Sequence, residues 1–391
     1  MPPGFVQSQR LQHVQDPIIP IVARWLRETP GAISLGQGLV SYGPPPEAAD
    51  AVRAFLEHPE HRYGAVEGEP ELLALIDAKL ARENGIVTAP HSRIVVSAGG
   101  NMAFMNAILA LVDSGDEVIL PVPYYFNHEM AIVMAGAVPV PVPTRAGYQL
   151  DVDAIASAIT PRTRAVVTIS PNNPSGAVYP EADLRAVNAL CARHGVFHIH
   201  DEVYEYFTHD DARHFSPGAI PGASVHTISL YSLSKAYGFA SWRIGYMVIP
   251  EALWVAVNKI QDTLLICPPL VSQAAAAASL RVGRAHSAPH VAALREVRHL
   301  VFEAFGAVRD VADVPPVQGA FYTLVDVKTR LSPMECAERL IREHGVAAIP
   351  GTAFGLTSGC VLRVSYGALA RDTVVEGMRR LTRGIRAIAG R

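Results

Sequence analysis

The chain has 391 residues, half of them hydrophobic and 18% charged, with a formal net charge of −3. That length is enough for one large core and a smaller second one. The arginines are scattered rather than gathered into a basic stripe, which argues against a nucleic-acid partner, and the C-terminal run MRRLTRGIRAIAGR reads as a solvated helix face.

The opening residues, MPPGFVQSQRLQHVQDP, have no basic stretch leading into an apolar run, so no signal peptide is visible. The Ala-rich stretch QAAAAASL is flanked by charges and is too short to span a bilayer. Cys191, Cys267, Cys336 and Cys360 lie far apart and form no CxxC pair. Reduced thiols are expected, with neither a disulfide framework nor a metal site, in a cytoplasmic protein.

The N-terminal segment, including residues 11–27, is expected to pack with a second, smaller domain, because Pro44-Pro45-Pro46 makes a natural break before the large one. RIVVS reads as a buried strand, after which Gly99-Gly100-Asn101 opens the apolar helix MAFMNAILALV. EVILPVP and AGAVPVPV are further strands. AVVTIS runs into the turn SPNNPSG, and the helix ADLRAVNALCARHG leads to the strand VFHIHDE. VHTISLYS ends in SLSKAYG, and IGYMVIP follows. Strands alternating with helices predict an α/β fold whose central sheet is mostly parallel and covered by helices. Ligands of such sheets sit beyond the carboxyl ends of the strands, where the polar clusters of this sequence fall.

After Pro268 the pattern changes to a long helical region over 271–305, the strands FYTLVDV and CVLRVSY, and the helix MECAERLIREHG between them. The expected organisation is a large domain over 46–270 and a smaller α+β domain made of 1–45 with 271–391.

Four clusters carry chemistry. Lys235 follows an apolar strand and has Ser232, Ser234 and Arg243 near it. A partly desolvated lysine beside a cation becomes a usable amine nucleophile. Serine hydroxyls and a guanidinium fork suit a phosphate dianion. A surface lysine is the plain alternative, and the preceding apolar strand weighs against it. Asp201-Glu202-Val203-Tyr204 follows VFHI. Asp201 reads about equally well as a helix cap or as the partner of a cationic ring nitrogen. Asn173 lies in SPNNPSG, which is a turn by composition. Gly100 and Asn101 open a helix whose amides suit a phosphate, although a tight turn is the commoner use of a glycine pair. Arg363 sits inside an apolar strand, where an unpaired charge is costly, and this favours an anionic ligand. His198 and His200 flank the strand before Asp201. Packed histidines are the commoner outcome, with His200 the one that could reach a ring edge.

Taken together, SLGQG, YGAVEGEPELL, SAGGNMA, PVPYYF, PNNPSG, DEVY, SLSKAYGFASWRIG, IPGTAFG and LRVSYG stand in the order of the class I/II aminotransferases. The chain resembles this family of fold-type I pyridoxal 5′-phosphate (PLP) enzymes from about Ala32 to Gly367. The resemblance implies that Lys235 carries PLP as a Schiff base and moves the substrate proton. It implies that Asp201 partners the pyridinium nitrogen, and that Asn173 and Tyr204 hydrogen-bond the ring oxygen. Tyr125 would stack on the ring. Ser232, Arg243, Gly100 and Asn101 would hold the phosphate, joined by Tyr63 from a second subunit in a homodimer. Arg363 would grip the substrate carboxylate, and Gly38 lies on a segment closing over the substrate.

The implied activity is ping-pong amino transfer from an L-amino acid to a 2-oxo acid. A C–S β-lyase or an amino-acid oxidase on the same fold shares these residues. A non-catalytic PLP-binding regulator is a more distant alternative, because such regulators carry a DNA-binding appendage. A dinucleotide-dependent dehydrogenase is disfavoured, since no GxGxxG follows a strand. Asn101 stands where some aspartate enzymes of the family have lysine, which favours neutral, aromatic or sulfur-containing amino acids. The family's usual PDF is replaced here by VSYG.

Overall fold

The computed structural model describes residues 6, 8–57, 61–88 and 90–389. Seven strands form the main sheet: β1 (Ser92–Ser97), β2 (Glu117–Pro121), β3 (Val138–Val142), β4 (Thr163–Ile169), β5 (Phe197–Asp201), β6 (Thr227–Ser232) and β7 (Gly245–Pro250). Their order is β1-β7-β6-β5-β4-β2-β3. All run parallel except β7, which is antiparallel to both β1 and β6.

That one reversal matters for the site. The parallel strands end at a single edge, delivering Ser97, Ile169, Asp201 and Ser232 there. Gly245, the first residue of β7, pairs with Ser97 and with Ser232. Arg243, two residues before β7, therefore reaches the same edge from the opposite chain direction.

The strand sequences explain why they are buried on both faces. In β5, Ile199 points into a core with Phe104, Ile228 and Met247. His198 and His200 point to the other face, where their rings hydrogen-bond Thr168 Oγ1 at 2.8 and 2.6 Å. Asn188 lies 3.2 Å from the second ring nitrogen of His198. These bonds offset the cost of burying both rings, although His200 Nε2 has no partner among the described residues. The expected packed role of both histidines holds, and neither borders the cavity beyond the sheet edge.

A second sheet contains β8 (Ala312–Asp313), β9 (Tyr322–Val327), β10 (Ile349–Pro350) and β11 (Val361–Ser365), in the order β10-β11-β9-β8. Strand β11 is central, and its Arg363 pairs with Leu324 on one side and Ile349 on the other. The helix Pro333–His344 begins with a capping box in which Ser332 and Glu335 satisfy each other's backbone amides. The helix Ile18–Glu28 buries Ile18, Val22 and Trp25, one face at four- and three-residue spacing, and contacts the Pro333–His344 helix. The long helical region expected over 271–305 is two helices, Leu270–Val282 and Arg284–Gly306, separated at Gly283. The first of them packs on the helices Pro46–Glu57 and Pro70–Lys79. Among the described residues no helix is long and apolar enough to cross a membrane.

Ile199 is fully buried directly before the strand end that presents Asp201. Truncation to alanine is expected to cost about 2–5 kcal/mol through lost burial and a cavity. Denaturant unfolding of Ile199→Ala checks this, and an unchanged midpoint would contradict it.

Candidate active site

One cavity of about 220 Å³ opens where the carboxyl edge of the main sheet meets the second sheet. Every predicted site residue except Tyr63 lines it. Tyr63 is 75% exposed and does not line it.

Lys235 sits in the one-turn helix Leu233–Ala236, capped by Ser232, whose Oγ accepts from the Ser234 amide at 3.2 Å. Ser232 Oγ also bonds Ser234 Oγ at 2.9 Å. Lys235 Nζ donates to the carbonyl of Gly38 at 2.5 Å. Burial, then the charges of Arg363 and Arg243, push the Lys235 ammonium down to about 8, against the opposing pull of Asp201. Among the described residues, the Gly38 carbonyl alone holds the ammonium directly.

Asp201 ends β5. Its Oδ1 accepts from the Val203 amide at 3.0 Å, and its Oδ2 lies 3.2 Å from His128 Nε2. His128 is buried and stacks on Phe104 with ring centroids 3.9 Å apart. Asn173 links two neighbours: its Nδ2 donates to Tyr204 Oη at 3.4 Å, and its Oδ1 accepts from Arg363 at 2.8 Å. Tyr204 Oη lies 2.7 Å from Tyr322 Oη, and burial holds the Tyr204 phenol well above its usual range. Tyr125 Oη accepts from Asn127 Nδ2 at 2.8 Å and lies 3.4 Å from Asn101 Oδ1.

Arg363 is 2% exposed. Its guanidinium donates to the Gly36 carbonyl at 2.7 Å and to Asn173, while Nε has no partner among the described residues. The Tyr322 and Phe354 rings lie 4.7 and 4.9 Å from its central carbon. Among the described residues no carboxylate pairs with it. Burial draws its pKa down from the usual guanidinium range. A buried cation without a counter-ion is costly, and a planar fork of this kind matches a carboxylate.

Sequence reasoning missed His128, Tyr322 and Tyr42. His128 lies one turn beyond Tyr125, a spacing visible in the sequence only to a reader who already knows that the helix Phe126–Met134 faces Asp201. Tyr322 and Tyr42 carry no local signal, since tyrosines in strands and loops are most often packing residues.

The residues at the cavity floor fit the PLP that the sequence resemblance implies. The helix Gly100–Leu111 has no side-chain cap, so its first amides are free to meet an anion. Arg243 and the Ser232–Ser234 hydroxyl pair border the same floor. A Cβ at Gly99 would collide with the Arg243 guanidinium, so glycine is what lets the fork lie against the helix start. Free amides, hydroxyls and a guanidinium together would suit a phosphate dianion. Lys235 and Asp201, an amine and an acid, line the same cavity above it.

The sequence model of "Aminotransferase class I and II" matches residues 30–381. A probable aspartate/prephenate aminotransferase of Thermus aquaticus is 35% identical over 360 residues, 90% of this chain and 91% of its own. Aromatic-amino-acid aminotransferase 2 of Thermococcus litoralis is 32% identical, covering 90% of this chain and 91% of its own. The crystal structure of the aspartate aminotransferase of Rhizobium meliloti superposes with a TM-score of 0.91 at 30% identity, covering 99% of this chain and all of that one. With the site built as above, the chain belongs to the class I and II aminotransferases of fold type I, and it is a PLP-dependent aminotransferase.

Proposed function

We propose that this chain transfers the amino group of a neutral, aromatic or sulfur-containing L-amino acid to a 2-oxo acid, the two substrates occupying one site in turn. The observation that carries this reading is Arg363, a buried guanidinium with no anionic partner among the described residues, lining the same cavity as Lys235. Both substrate classes carry a carboxylate next to the reacting carbon. One fork can therefore orient either, which is the basis of a ping-pong cycle.

The residue roles follow from the chemistry of each group. PLP, when bound, supplies an electron sink for the bond broken at the substrate Cα. Asp201, steadied by His128 and the Val203 amide, holds a positive ring nitrogen. Asn173 and Tyr204 donate to the ring oxygen, and Tyr125 covers the ring. Ser232, Arg243 and the amides of Gly100 and Asn101 hold the phosphate. Lys235 Nζ, an amine whose proton is easily lost, moves the proton at the substrate Cα. Gly38 and its segment border the cavity and exclude water from it.

We further propose a homodimer in which the exposed Tyr63 reaches the cavity of the neighbouring copy, and a cytoplasmic location. In this reading residues 46–270 hold the cofactor, while 1–45 with 271–391 carry the carboxylate clamp. The helix Leu270–Val282, at that boundary, packs on the first part. The neutral or aromatic preference is supported by the lining. Its described cations are Lys235, Arg243 and Arg363, and its apolar walls include Ile19, Leu39 and Phe126. All three cations already have roles, which leaves none for a side-chain carboxylate.

Arg363→Ala is expected to lower kcat/KM by about 2–5 kcal/mol, mostly through substrate capture. An unchanged kcat/KM removes the clamp. In the cofactor-free protein, competitive acetylation of Lys235 should rise through an inflection near pH 8, because burial and two cations favour the neutral amine. An inflection near that of an ordinary lysine contradicts this. With 2-oxoglutarate as acceptor, L-phenylalanine and L-methionine should outpace L-aspartate, and the reverse order overturns the substrate class.

A further inference from the structure

The segment over 36–43, which begins inside SLGQG, contacts Lys235 twice. The first contact is Lys235 Nζ to the Gly38 carbonyl. The second runs the other way: Tyr42 Oη donates to the main-chain carbonyl of Lys235 at 2.9 Å. The other contacts to that carbonyl come from the lysine loop itself, the amides of Tyr237 and Gly238, the latter at 3.4 Å and long for a hydrogen bond.

Tyr42 is itself fixed. Its ring stacks on His290 at 3.8 Å between centroids with the planes 6° apart, and His286 meets it edge-on at 5.7 Å. His286 Nε2 lies 3.1 Å from the Gly43 carbonyl. The lysine loop is also shaped to receive this segment. A Cβ at Gly238 would fall against the Tyr42 carbonyl and within 2.8 Å of the Gly43 carbonyl oxygen. At its other end the segment is tied to β11, where Ser365 Oγ donates to the Gln37 carbonyl and Arg363 to the Gly36 carbonyl, both at 2.7 Å. Residues 36–43 thus bridge the carboxylate clamp and the lysine.

The two lysine contacts differ in one respect. Whenever Nζ is engaged in chemistry it must leave the Gly38 carbonyl. The Tyr42 contact is made to the main chain and need not break.

We propose that Tyr42 is a positioning residue for Lys235: its hydroxyl, held by His290 and His286, fixes the lysine main chain so that Nζ reaches the substrate Cα in register. The proposal rests on the reading of Lys235 as the proton-moving amine. It predicts a defect in the proton step, not in capture, because Arg363 and its own partners are untouched. Misplacing a reacting amine by a fraction of an ångström is costly in rate.

The test is Tyr42→Phe in the holoenzyme, which keeps the stacked ring and removes only the hydroxyl. The probe is whichever of L-phenylalanine, L-methionine and L-aspartate turns over fastest with 2-oxoglutarate, in protonated and Cα-deuterated form. The expected result is a fall in kcat of roughly tenfold with KM nearly unchanged, and a larger primary isotope effect, as the proton step becomes more limiting. His290→Leu should move both quantities in the same direction, less strongly. An unchanged kcat and isotope effect in Tyr42→Phe, or a change confined to KM, overturns the proposal. Lys235→Ala separates the two levels. If it is inactive while Tyr42→Phe is normal, only the positioning role falls. If Lys235→Ala retains turnover, the underlying reading falls with it.

Discussion

Three cations, Lys235, Arg243 and Arg363, line one cavity, with a single carboxylate, Asp201, among its described lining residues. Like charges at low dielectric raise each other's cost, and the chain resolves this in two ways. Lysine can lose its proton, and its pKa falls accordingly. Arginine cannot, so its charge remains and needs an anion. The neutral donors and acceptors around Arg363, the Gly36 carbonyl and Asn173, orient the fork without neutralising it. A site built this way is ready for a carboxylate-bearing molecule beside a nucleophilic amine. The same charge that calls for the carboxylate also makes the amine easier to deprotonate.

The fold supplies these groups from unrelated parts of the chain. Parallel strands bring Asp201 and the lysine loop to one edge. The single antiparallel strand β7 adds Arg243 from the opposite direction. Arg363 comes from the centre of a second sheet, where pairing on both sides keeps its backbone rigid. Residues 36–43 then join the clamp to the lysine loop. Groups placed by strands and by a segment tied at both ends suit a site that must hold a bond at a fixed angle to a ring.

Much of this was legible in the sequence. Runs such as AVVTIS and VHTISLYS announced buried parallel strands, and the polar clusters after them marked the ligand edge. Arg363 was singled out by the family resemblance, and its place inside an apolar strand, where a charge is costly, supported an anionic ligand. Pairings between distant residues were not legible. His128 meets Asp201, and Tyr322 meets Tyr204, only because separate elements cross, and local spacing carries no trace of that. The break at Gly283 was also hidden, since the residues on both sides favour helix. Tyr42 was noticed only as part of a departure from the usual PDF. Its hydroxyl gained meaning once the Lys235 carbonyl was found 2.9 Å away.

The chain has four lysines, and their surroundings differ sharply. Lys79 is buried against Glu205 and Asn84, Lys328 pairs with Asp313, and Lys259 is exposed. Lys235 alone among them lines the cavity. Borohydride reduction of the PLP-loaded protein, followed by peptide mass spectrometry, reads which of the four carries the cofactor. The account predicts the pyridoxyl group on the peptide containing Lys235 and on no other. The same label on Lys79, Lys259 or Lys328, with Lys235 unmodified, would contradict it.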